Sequence, residues 1–560
     1  MTTLGIDLGT TNSSASVWKD GQLVQIPNRL GKFLTPSVIG LDDNGHVIVG
    51  EIAKERLISH SDKTVSVFKR LMGTEHKIHI GKKAFTAPEL SSLILKSLLE
   101  DAEVFLNEKV TSAVISVPAY FNENQRVATK LAGELAGISV RRLINEPTAA
   151  AIAYGLNERQ QGTFMILDMG GGTFDVSILE YFDGVMEVHA SAGDNYLGGE
   201  DFVEAMFNSI LKELHIEKSQ LSSQQHHQLY MQLETIKKRI DTLDNETIYV
   251  AAGPERVQWS VTQEWFLQVI TPLLLRLKQP ILRALQDSQL HSSEIDEVIL
   301  VGGATRLKQL RTTVAKLFGR LPSCNLDPDL VVSIGTGVQA GLMDKNQALD
   351  DIVLTDVCPY TLGTEVQNEH GAGQFFPIIE RNSVVPISIE RGLVTVQDNQ
   401  TEMMIGVYQG ENRRVSQNVF LGFLKVPVPR GKAGEQQVLI RYSYDTNGLL
   451  EIDAKVLSTG KEFNKVIENA PGVLNQSELA AAREKLAKLK FHPREDELNK
   501  NLLARGERIY NASIGNKREQ IGQYLAQFEA ILNNQNLQEI AKAQSKLETI
   551  LSEFDTEDWI

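Results

Sequence analysis

The stretch that decides the fold is Gly5-Ile-Asp-Leu-Gly-Thr-Thr-Asn-Ser-Ser-Ala-Ser-Val-Trp18, and a related stretch, Ile166-Leu-Asp-Met-Gly-Gly-Gly-Thr-Phe-Asp-Val-Ser-Ile-Leu179, follows 161 residues later. Each copy has an apolar run, an acidic residue, small Gly or Thr residues and a second β-rich run. This order predicts a strand–turn–strand hairpin in which glycines let the backbone curl. The aligned positions are Asp7 with Asp168, Gly9 with Gly170, and Asn12 with Thr173.

The two hairpins indicate a phosphate-binding function. Successive backbone N–H groups in such a turn form an anion-binding concavity, and a neighbouring carboxylate can hold Mg²⁺ through water. Two such turns that face each other would grip the polyphosphate of a nucleotide, which predicts a two-lobed, ATP-handling α/β domain. A third loop at 298–310 runs from a strand through Gly302-Gly303 towards a helix. Its backbone could approach an adenosine, and Arg306 could stack on the base.

Length and composition restrict the function classes. A chain of 560 residues has room for three or four domains. Its formal net charge of −15 argues against duplex nucleic acid or an anionic membrane as the main partner. Cys324 and Cys358 are the only cysteines, which excludes a disulfide framework. No charged-then-apolar leader or bilayer-length apolar run occurs, so we expect a cytoplasmic location.

The pattern of strand-like and helix-like segments changes twice along the chain. Strand-like and helix-like segments alternate up to about residue 345, with a helix expected to begin at Asn122, capped by Gln125, and longer helices over 203–241 and 262–289. Residues 358–470 are rich in alternating β runs, with a hairpin turn at 445–448. Apolar residues recur at helical spacing from 475 onward.

Several charged residues have ordinary structural explanations when only the sequence is considered. Lys69 is by default a solvated cation on a helix surface, and Glu146 is a carboxylate favoured by the dipole at a helix N-terminus. Asp327 and Asp329 are typical turn residues. Glu234, Lys237 and Lys238 have the spacing of an intrahelical charge cluster.

Five short motifs lie at 7–13, 145–151, 168–177, 193–202 and 301–306. They resemble those of the Hsp70 (heat-shock protein 70) chaperones, bacterial DnaK-like members included, and the resemblance covers essentially the whole chain. The shorter helical end and residues 351–363 look most like the specialised HscC-type branch. The resemblance implies an actin-like α/β ATPase domain at 1–350, a linker at 351–357, a β-sandwich peptide-binding domain at 358–470 and a shortened α-helical lid at 471–560.

The resemblance further implies a site for ATP or ADP with Mg²⁺. Asp7 and Asp168 would organise Mg²⁺ through its waters. Lys69 would face the γ-phosphate and the attacking water, with Glu146 and Thr173 completing the catalytic set. The other positions that match nucleotide contacts are Gly9, Thr10, Thr11, Asn12, Gly170, Gly171, Gly172, Gly198, Gly199, Glu234, Lys237, Lys238, Gly302, Gly303, Arg306 and Asp329.

For the β domain, the resemblance implies a groove that clamps an extended apolar segment of an unfolded client polypeptide. A J-domain co-chaperone and a nucleotide-exchange factor are the other expected partners, and we expect no nucleic-acid or membrane partner and a monomeric chain. The groove positions are Thr364, Val366, Gln367, Leu393, Val396, Met403 and Ile405, and the J-domain positions are Arg142, Asn145, Thr148 and Asp356.

Some positions depart from the family pattern. Ala304 replaces a hydroxyl residue and Gln263 replaces an arginine, which predicts altered nucleotide affinity. Thr355 replaces a linker leucine, which predicts weaker docking of the linker on the nucleotide domain. Gln367, Met403 and the inserted loop at 368–377 predict a different substrate range from that of a housekeeping chaperone.

The expected mechanism is a two-state cycle in which ATP docks the linker and β domain, and hydrolysis releases them; the shortened lid predicts faster loss of peptide. Two rival functions stay open at this point. A small-molecule kinase on the same fold would leave the β and helical domains unexplained. A nucleotide-gated regulatory binder dedicated to one partner would show little peptide-stimulated turnover.

Overall fold

The structure is a computed structural model, and it describes most of the chain. Residues 351–352 of the expected linker, Asn447 of the expected hairpin turn and most of the expected start of the lid lie outside the described residues. None of the described helices is both long and apolar enough to cross a bilayer. The described residues are 2–158, 161–182, 185–242, 245–252, 255–344, 353–368, 371–446, 448–467, 482, 497–513, 515–533 and 537–557.

The first lobe comprises residues 3–158 and is built around the first hairpin. Its main sheet has the order β11-β10-β1-β2-β3, with β4 also paired to β2. Its elements are β1 (Thr3–Leu8), β2 (Asn12–Lys19), β3 (Gln22–Ile26), β4 (Thr35–Pro36), β5 (Ile39–Leu41), β6 (Val47–Val49), α1 (Glu51–Ser59), β7 (Thr64–Val65), β8 (Ile78–Ile80), β9 (Lys83–Phe85), α2 (Ala87–Leu106), β10 (Ser112–Val117), α3 (Glu123–Ala136), β11 (Ser139–Asn145) and α4 (Glu146–Glu158).

The second lobe comprises residues 162–344 and is built around the second hairpin. Its sheet has the order β17-β12-β13-β14-β18, in which β18 (Val353–Leu354) comes from the linker. Its own elements are β12 (Gly162–Met169), β13 (Phe174–Phe182), β14 (Val185–Asp194), α5 (Gly199–Glu213), α6 (Ser223–Arg239), β15 (Asn245–Ala252), β16 (Glu255–Thr262), α7 (Gln263–Arg276), α8 (Lys278–Ser288), β17 (Glu297–Val301), α9 (Lys308–Phe318) and α10 (Val331–Met343).

Two expected helices are each divided, which corrects the sequence prediction. The region 203–241 contains α5 and α6, separated by a loop in which His215 adopts a φ of 54° and Ser222 starts the next helix with a side-chain cap. The region 262–289 divides at Leu277 into α7 and α8. Pro280 has no N–H to donate to the carbonyl of Arg276, so one continuous helix would lose a hydrogen bond there.

Helix α10 packs closely against α4 of the first lobe. A Cβ placed on Gly335 of α10 would lie 1.7 Å from the carbonyl oxygen of Ala149, which is backbone and cannot rotate away. At Gly5 of β1, an added Cβ would likewise lie 2.2 Å from the Gly337 nitrogen. The absence of side chains at these glycines therefore allows α10 to pack directly on α4 and β1 of the first lobe.

We expect Gly335→Ala to destabilise the two lobes by about 3 kcal/mol, because the backbone contact cannot relax without separating α4 from α10. The measurement is the urea midpoint of unfolding. Gly155→Ala is the matched control, since a Cβ on this α4 glycine would meet only the flexible Cε of Met186 at 3.2 Å. Equal midpoints for the two variants would contradict the close-packing explanation.

Residues 353–467 form a third, β-rich region. Two four-stranded antiparallel sheets, β21-β20-β24-β25 and β23-β26-β27-β28, enclose an apolar core. Its elements are β18 (Val353–Leu354), β19 (Asp356–Val357), β20 (Leu362–Asn368), β21 (Gly371–Ile379), β22 (Val384–Val385), β23 (Ile387–Val394), β24 (Glu402–Gln409), β25 (Val419–Pro427), β26 (Gln437–Tyr444), β27 (Leu450–Val456) and β28 (Glu462–Val466).

Three helices follow the β-rich region, and they pack on one another through a small apolar cluster. The first also packs against α1 of the first lobe, where Arg508 forms an ion pair with Glu55. The helical expectation for the end of the chain is confirmed over the described residues. The helices are α11 (Glu497–Ala512), α12 (Gly515–Asn533) and α13 (Leu537–Glu557).

The β-rich region is docked on the two lobes. The linker strand β18 pairs in parallel with β14, and the Thr355 N–H donates to the carbonyl of Met186 at 3.0 Å. Arg381 forms a bidentate ion pair with Asp287 of α8, at 2.7 and 2.8 Å. These contacts place the β-rich region against the face of the second lobe next to the linker.

Candidate functional site

The two hairpins form as the sequence predicts. Antiparallel pairing of β1 with β2 places Asp7 opposite Ser14, and pairing of β12 with β13 places Asp168 opposite Asp175. The loop glycines allow the turns to come close together. A Cβ on Gly171 would lie 1.8 Å from Oγ1 of Thr11, so the second turn can meet the first only without a side chain.

A cavity of about 430 Å³ lies between the lobes, with both turns in its wall. This volume is within the range of small-molecule sites in proteins. The expected residues Gly172 and Gly198 lie behind the lining, where a Cβ on Gly198 would contact Gly171. The expected residues that line the cavity are Asp7, Gly9, Thr10, Thr11, Asn12, Lys69, Glu146, Asp168, Gly170, Gly171, Thr173, Gly199, Glu234, Lys237, Lys238, Gly302, Gly303, Arg306 and Asp329.

Lys69 is a buried cation rather than a solvated one. Its side chain is 4% exposed, and Nζ donates to Oε1 of Glu146 at 2.9 Å. Lys69 lies in the short helical turn Phe68–Leu71, and Glu146 is the first residue of α4. Strand β11 ends immediately before Glu146, so the strand-to-helix junction aims this carboxylate at Lys69. A fixed ammonium in this position can stabilise negative charge on a bound phosphate.

Buried carboxylates surround this ion pair. Burial, followed by repulsion from Glu146, raises the pKa of Asp7 to about 7, although Oγ of Ser116 donates to its Oδ1 at 2.7 Å. Burial and the neighbouring Glu146 carboxylate also raise the pKa of Asp168 well above its ordinary value. The site therefore concentrates acidic groups whose ionised forms nearby positive charge would stabilise.

Asp175 is a residue of this cluster that the sequence analysis missed. It is buried, and its Oδ1 accepts a hydrogen bond from the Tyr120 N–H at 2.9 Å. Burial, followed by Glu146, raises the pKa of Asp175 to about 7. The signal was present in the sequence, because Asp175 lies in the second repeat at the strand position opposite Asp168. Glu200, which lines the cavity and accepts from the Tyr230 hydroxyl at 2.6 Å, was missed as well.

The acidic cluster suits a hard divalent cation that is held through water. Oδ2 of Asp168 and Oδ2 of Asp175 are buried without a hydrogen-bond partner among the described residues. Carboxylate oxygens are the ligands that Mg²⁺ prefers, and it commonly retains several waters. No group of three His, Cys, Asp or Glu side chains in the described part of the chain could ligate a metal directly.

The far end of the cavity is suited to the adenosine part of a nucleotide. Gly302 adopts a φ of 84°, and Gly303 passes so close to Asp329 that an added Cβ would lie 2.6 Å from Oδ1. Arg306 pairs with Asp329 at 2.7 Å and leaves half of its side chain exposed. Ala304 lines the cavity, whereas Gln263 does not, and its Nε2 donates to the carbonyl of Asp241 at 3.4 Å.

Glu234, Lys237 and Lys238 form the intrahelical charge cluster that their spacing predicts, and they also line the cavity. Lys237 and Lys238 form intrahelical ion pairs with Glu234, at 2.5 and 3.0 Å. Burial raises the pKa of Glu234, but the two lysines outweigh that effect and lower it. Lys237 also donates to the carbonyl of Gly199 at 2.9 Å, so the pairs hold α6 against the start of α5 while lining the cavity.

The seven expected groove residues lie in the β-rich region but differ in exposure. Met403, Ile405 and Thr364 are buried, and Oγ1 of Thr364 donates to the carbonyl of Gly406 at 2.7 Å. Val366 and Leu393 are half-buried, whereas Gln367 and Val396 are exposed.

The four expected J-domain positions come together at the linker. Oδ2 of Asp356 accepts from Asn145 at 2.8 Å and from Thr148 at 3.4 Å, and Arg142 is half-buried nearby. Asn145, Thr148 and Asp356 are buried, so this cluster ties the linker to the junction of β11 and α4. Oγ1 of Thr355 is buried without a hydrogen-bond partner among the described residues, which is consistent with weaker docking at this position.

Comparison with known proteins agrees with this arrangement. The family model described as Hsp70 protein matches residues 3–80 and 74–560. The chaperone protein DnaK of Thermotoga neapolitana is 40% identical over 480 residues, covering 83% of this chain and 80% of the relative. Those of Thermosipho africanus and Thermotoga petrophila are also 40% identical, with 79% and 80% of their lengths covered. The chain therefore belongs to the Hsp70 family.

Proposed function

We propose that ATP binds in the cavity between the lobes with its phosphates against the two hairpin turns and its adenosine against the Gly302 loop. The observation that carries this proposal is the approach of the two glycine turns in the wall of the cavity that the buried Lys69–Glu146 pair also lines. In this arrangement Lys69 stabilises the charge that develops during phosphoryl transfer, and Glu146 keeps the ammonium in position. Thr173, buried at the second turn, completes the catalytic set.

Asp7 and Asp168 would hold Mg²⁺ through water, with Asp175 as a third carboxylate behind Asp168. When bound, the ion would neutralise phosphate charge and orient the polyphosphate. The protein's own contribution is to keep these carboxylates buried and close together. Their raised pKa values then make the site receptive to positive charge.

The chain is an ATP-dependent molecular chaperone with ATPase activity, and unfolded polypeptides are its clients. Neither the kinase nor the dedicated-binder hypothesis is favoured, and a kinase would leave the β-rich region unexplained. We assign residues 1–350 to an actin-like ATPase domain, 351–357 to a linker, 358–470 to a β-sandwich that clamps the client, and 471–560 to a short helical lid. The two sheets and the three terminal helices support this division.

The remaining partners are part of the same proposal. A J-domain co-chaperone would engage Arg142 and the linker cluster around Asp356, and a nucleotide-exchange factor would open the cleft. We place the chain in the HscC-type branch because of the sequence of residues 351–363, and in the cytoplasm as a monomer.

The proposed coupling is tested by measuring steady-state ATP turnover with and without a short apolar peptide. We expect slow turnover that rises about tenfold with saturating peptide, because peptide binding shifts the docked equilibrium. Val396→Asp, which places a charge on an exposed groove position, should remove this increase. Leu457→Asp is the matched control, since Leu457 is also an exposed apolar residue of the β-rich region and is not one of the seven groove positions.

Turnover that does not respond to peptide in the unmodified protein would contradict the coupling and favour a binder dedicated to one partner. If both aspartate variants lose the response equally, the assignment of Val396 to the groove is wrong.

A further inference from the structure

Arg70 connects the two walls of the nucleotide cavity. It follows Lys69 directly in the helical turn Phe68–Leu71 of the first lobe, yet its guanidinium reaches the second lobe. Nη1 donates to Oδ1 of Asp201 at 3.1 Å, and Nη2 pairs with Oδ2 of the same carboxylate. Nη2 also donates to the carbonyl of Gly172 at 3.0 Å. One side chain therefore holds both the phosphate turn and the start of α5.

The second-lobe partners of Arg70 form a single unit. The Asp201 carboxylate accepts from the Gly198 N–H at 2.7 Å, which caps the start of α5. The N–H groups of Gly199 and Glu200 donate to the carbonyls of Gly170 and Gly171, both at 2.9 Å. The phosphate turn and α5 are therefore connected by backbone hydrogen bonds and must move together.

The Arg70–Asp201 ion pair is largely shielded from solvent, which strengthens the attraction between the two side chains. The side chains of Arg70 and Asp201 are only 20% and 19% exposed, so solvent screens them less than a surface pair. A bidentate guanidinium–carboxylate contact is directional and stronger than a hydrogen bond between neutral groups. A lysine could supply the charge but not the three simultaneous contacts.

We infer that Arg70 and Asp201 form a cross-cleft latch that fixes the second phosphate turn against the Lys69 turn and must break before bound nucleotide can leave. Arg70 is a positioning residue in this inference, because it acts on the phosphate turn. The inference rests on the proposed nucleotide site and assigns these two residues the control of ADP residence time. That residence time in turn sets how long the chaperone remains in its ADP state.

The test is the dissociation rate of methylanthraniloyl-labelled ADP, measured with Mg²⁺ and the full chain by chasing with unlabelled ADP. We expect Arg70→Ala and Asp201→Asn each to accelerate release about tenfold, the effect of losing a charge-assisted hydrogen-bonded pair. The double variant should release ADP no faster than either single variant, because both changes break the same latch. Arg70→Lys should fall between the parent and Arg70→Ala.

Arg276→Ala is the matched control, since Arg276 pairs with Asp194 at 2.6 Å within the second lobe and should leave release unchanged. Multiplicative effects of the two single variants, or unchanged release in both, would overturn the latch. If Arg70→Ala fails to fold, Arg70→Lys and Asp201→Asn still decide the question. Absence of ADP binding by the parent would overturn the nucleotide site itself, whereas normal binding with unchanged release overturns only the latch.

Discussion

Lys69→Ala is expected to lower the rate of ATP hydrolysis by about 100- to 1,000-fold, the effect of removing one preorganised charge-stabilising group from an active site. The ammonium is buried and lies 2.9 Å from Glu146, so the substitution removes the cation from a site that is shielded from water. The measurement is single-turnover hydrolysis of radiolabelled ATP, which separates the chemical step from nucleotide release. Binding of ATP should persist, since the turns and the adenosine pocket are unchanged.

Lys237→Ala is the matched control for this prediction. Lys237 is also a buried lysine that lines the cavity, but it lies at the adenosine end, against Gly199 and Glu234. We expect its loss to weaken nucleotide affinity and to change the single-turnover rate at saturating ATP by less than about tenfold. A Lys69→Ala variant that folds, binds ATP and hydrolyses it at a rate similar to that of the parent would refute the proposed role.

Docking of the β-rich region is expected to depend on pH through Glu123, the first residue of α3. Glu123 is buried at the contact between the first lobe and the β-rich region. Its N–H donates to Oε1 of Gln409 at 3.0 Å, and the Tyr444 hydroxyl donates to its Oε2 at 3.4 Å. Burial raises the pKa of Glu123 from 4.5 to about 8. The docked arrangement therefore holds a neutral Glu123 at neutral pH.

The charged groups around Glu123 do not reverse this effect. Arg126 and, more weakly, Lys130 on α3 lower the pKa of Glu123, whereas Asp445 at the end of β26 raises it. The guanidinium of Arg126 already donates hydrogen bonds to two backbone carbonyls. Its Nη2 also donates to Oδ1 of Asn145 at 2.7 Å. Among the described residues, an ionised Glu123 would thus be buried without an ion-pair partner.

The sign of the pH dependence follows from the raised pKa. When the β-rich region undocks, Glu123 becomes exposed and returns to an ordinary pKa near 4.5, so docking takes up a proton between pH 4.5 and about 8. The contribution of Glu123 to docking is therefore fully present below pH 4.5, and it is lost progressively as the pH rises to about 8. Over that range the free energy of docking weakens by up to about 5 kcal/mol, of which about 3 kcal/mol is already lost at pH 7.

Glu123→Gln removes this proton linkage because the amide is neutral at every pH. We expect the variant to dock roughly 100-fold more favourably than the parent at pH 7, and with no dependence on pH between 5 and 9. Docking can be followed by resonance energy transfer between dyes on the second lobe and the β-rich region in the presence of ATP. Glu390→Gln, at a half-exposed glutamate of β23, is the control and should retain the parental pH profile. If docking of Glu123→Gln and of the parent depended on pH in the same way, Glu123 would be excluded as the source of the pH dependence.

Local sequence patterns predicted much of the site because their chemistry acts over a few residues. The two repeats predicted both hairpins, and Asn122 with Gln125 predicted the capped start of α3, where the two residues form reciprocal hydrogen bonds. Beyond the acidic and glycine residues of the two repeats and the Gly302 loop, the expected site residues came from the resemblance to the family, and most of them line the cavity. The divided helices were missed, since helical apolar spacing continues across a break that a cap at Ser222 or the missing N–H of Pro280 imposes.

The sequence by itself determined the two glycine turns, the alternation of strands and helices, the later β-rich and helical regions, and the resemblance to the Hsp70 family. Only the tertiary structure decided which of the charged residues are buried and what each of them contacts. Lys69 becomes a buried partner of Glu146, Asp175 joins Asp168 across a hairpin, and Glu123 is enclosed by the docked β-rich region. The physical reason is that charge stabilisation and pKa depend on burial and on neighbours distant in sequence, whereas turns and caps depend on adjacent residues.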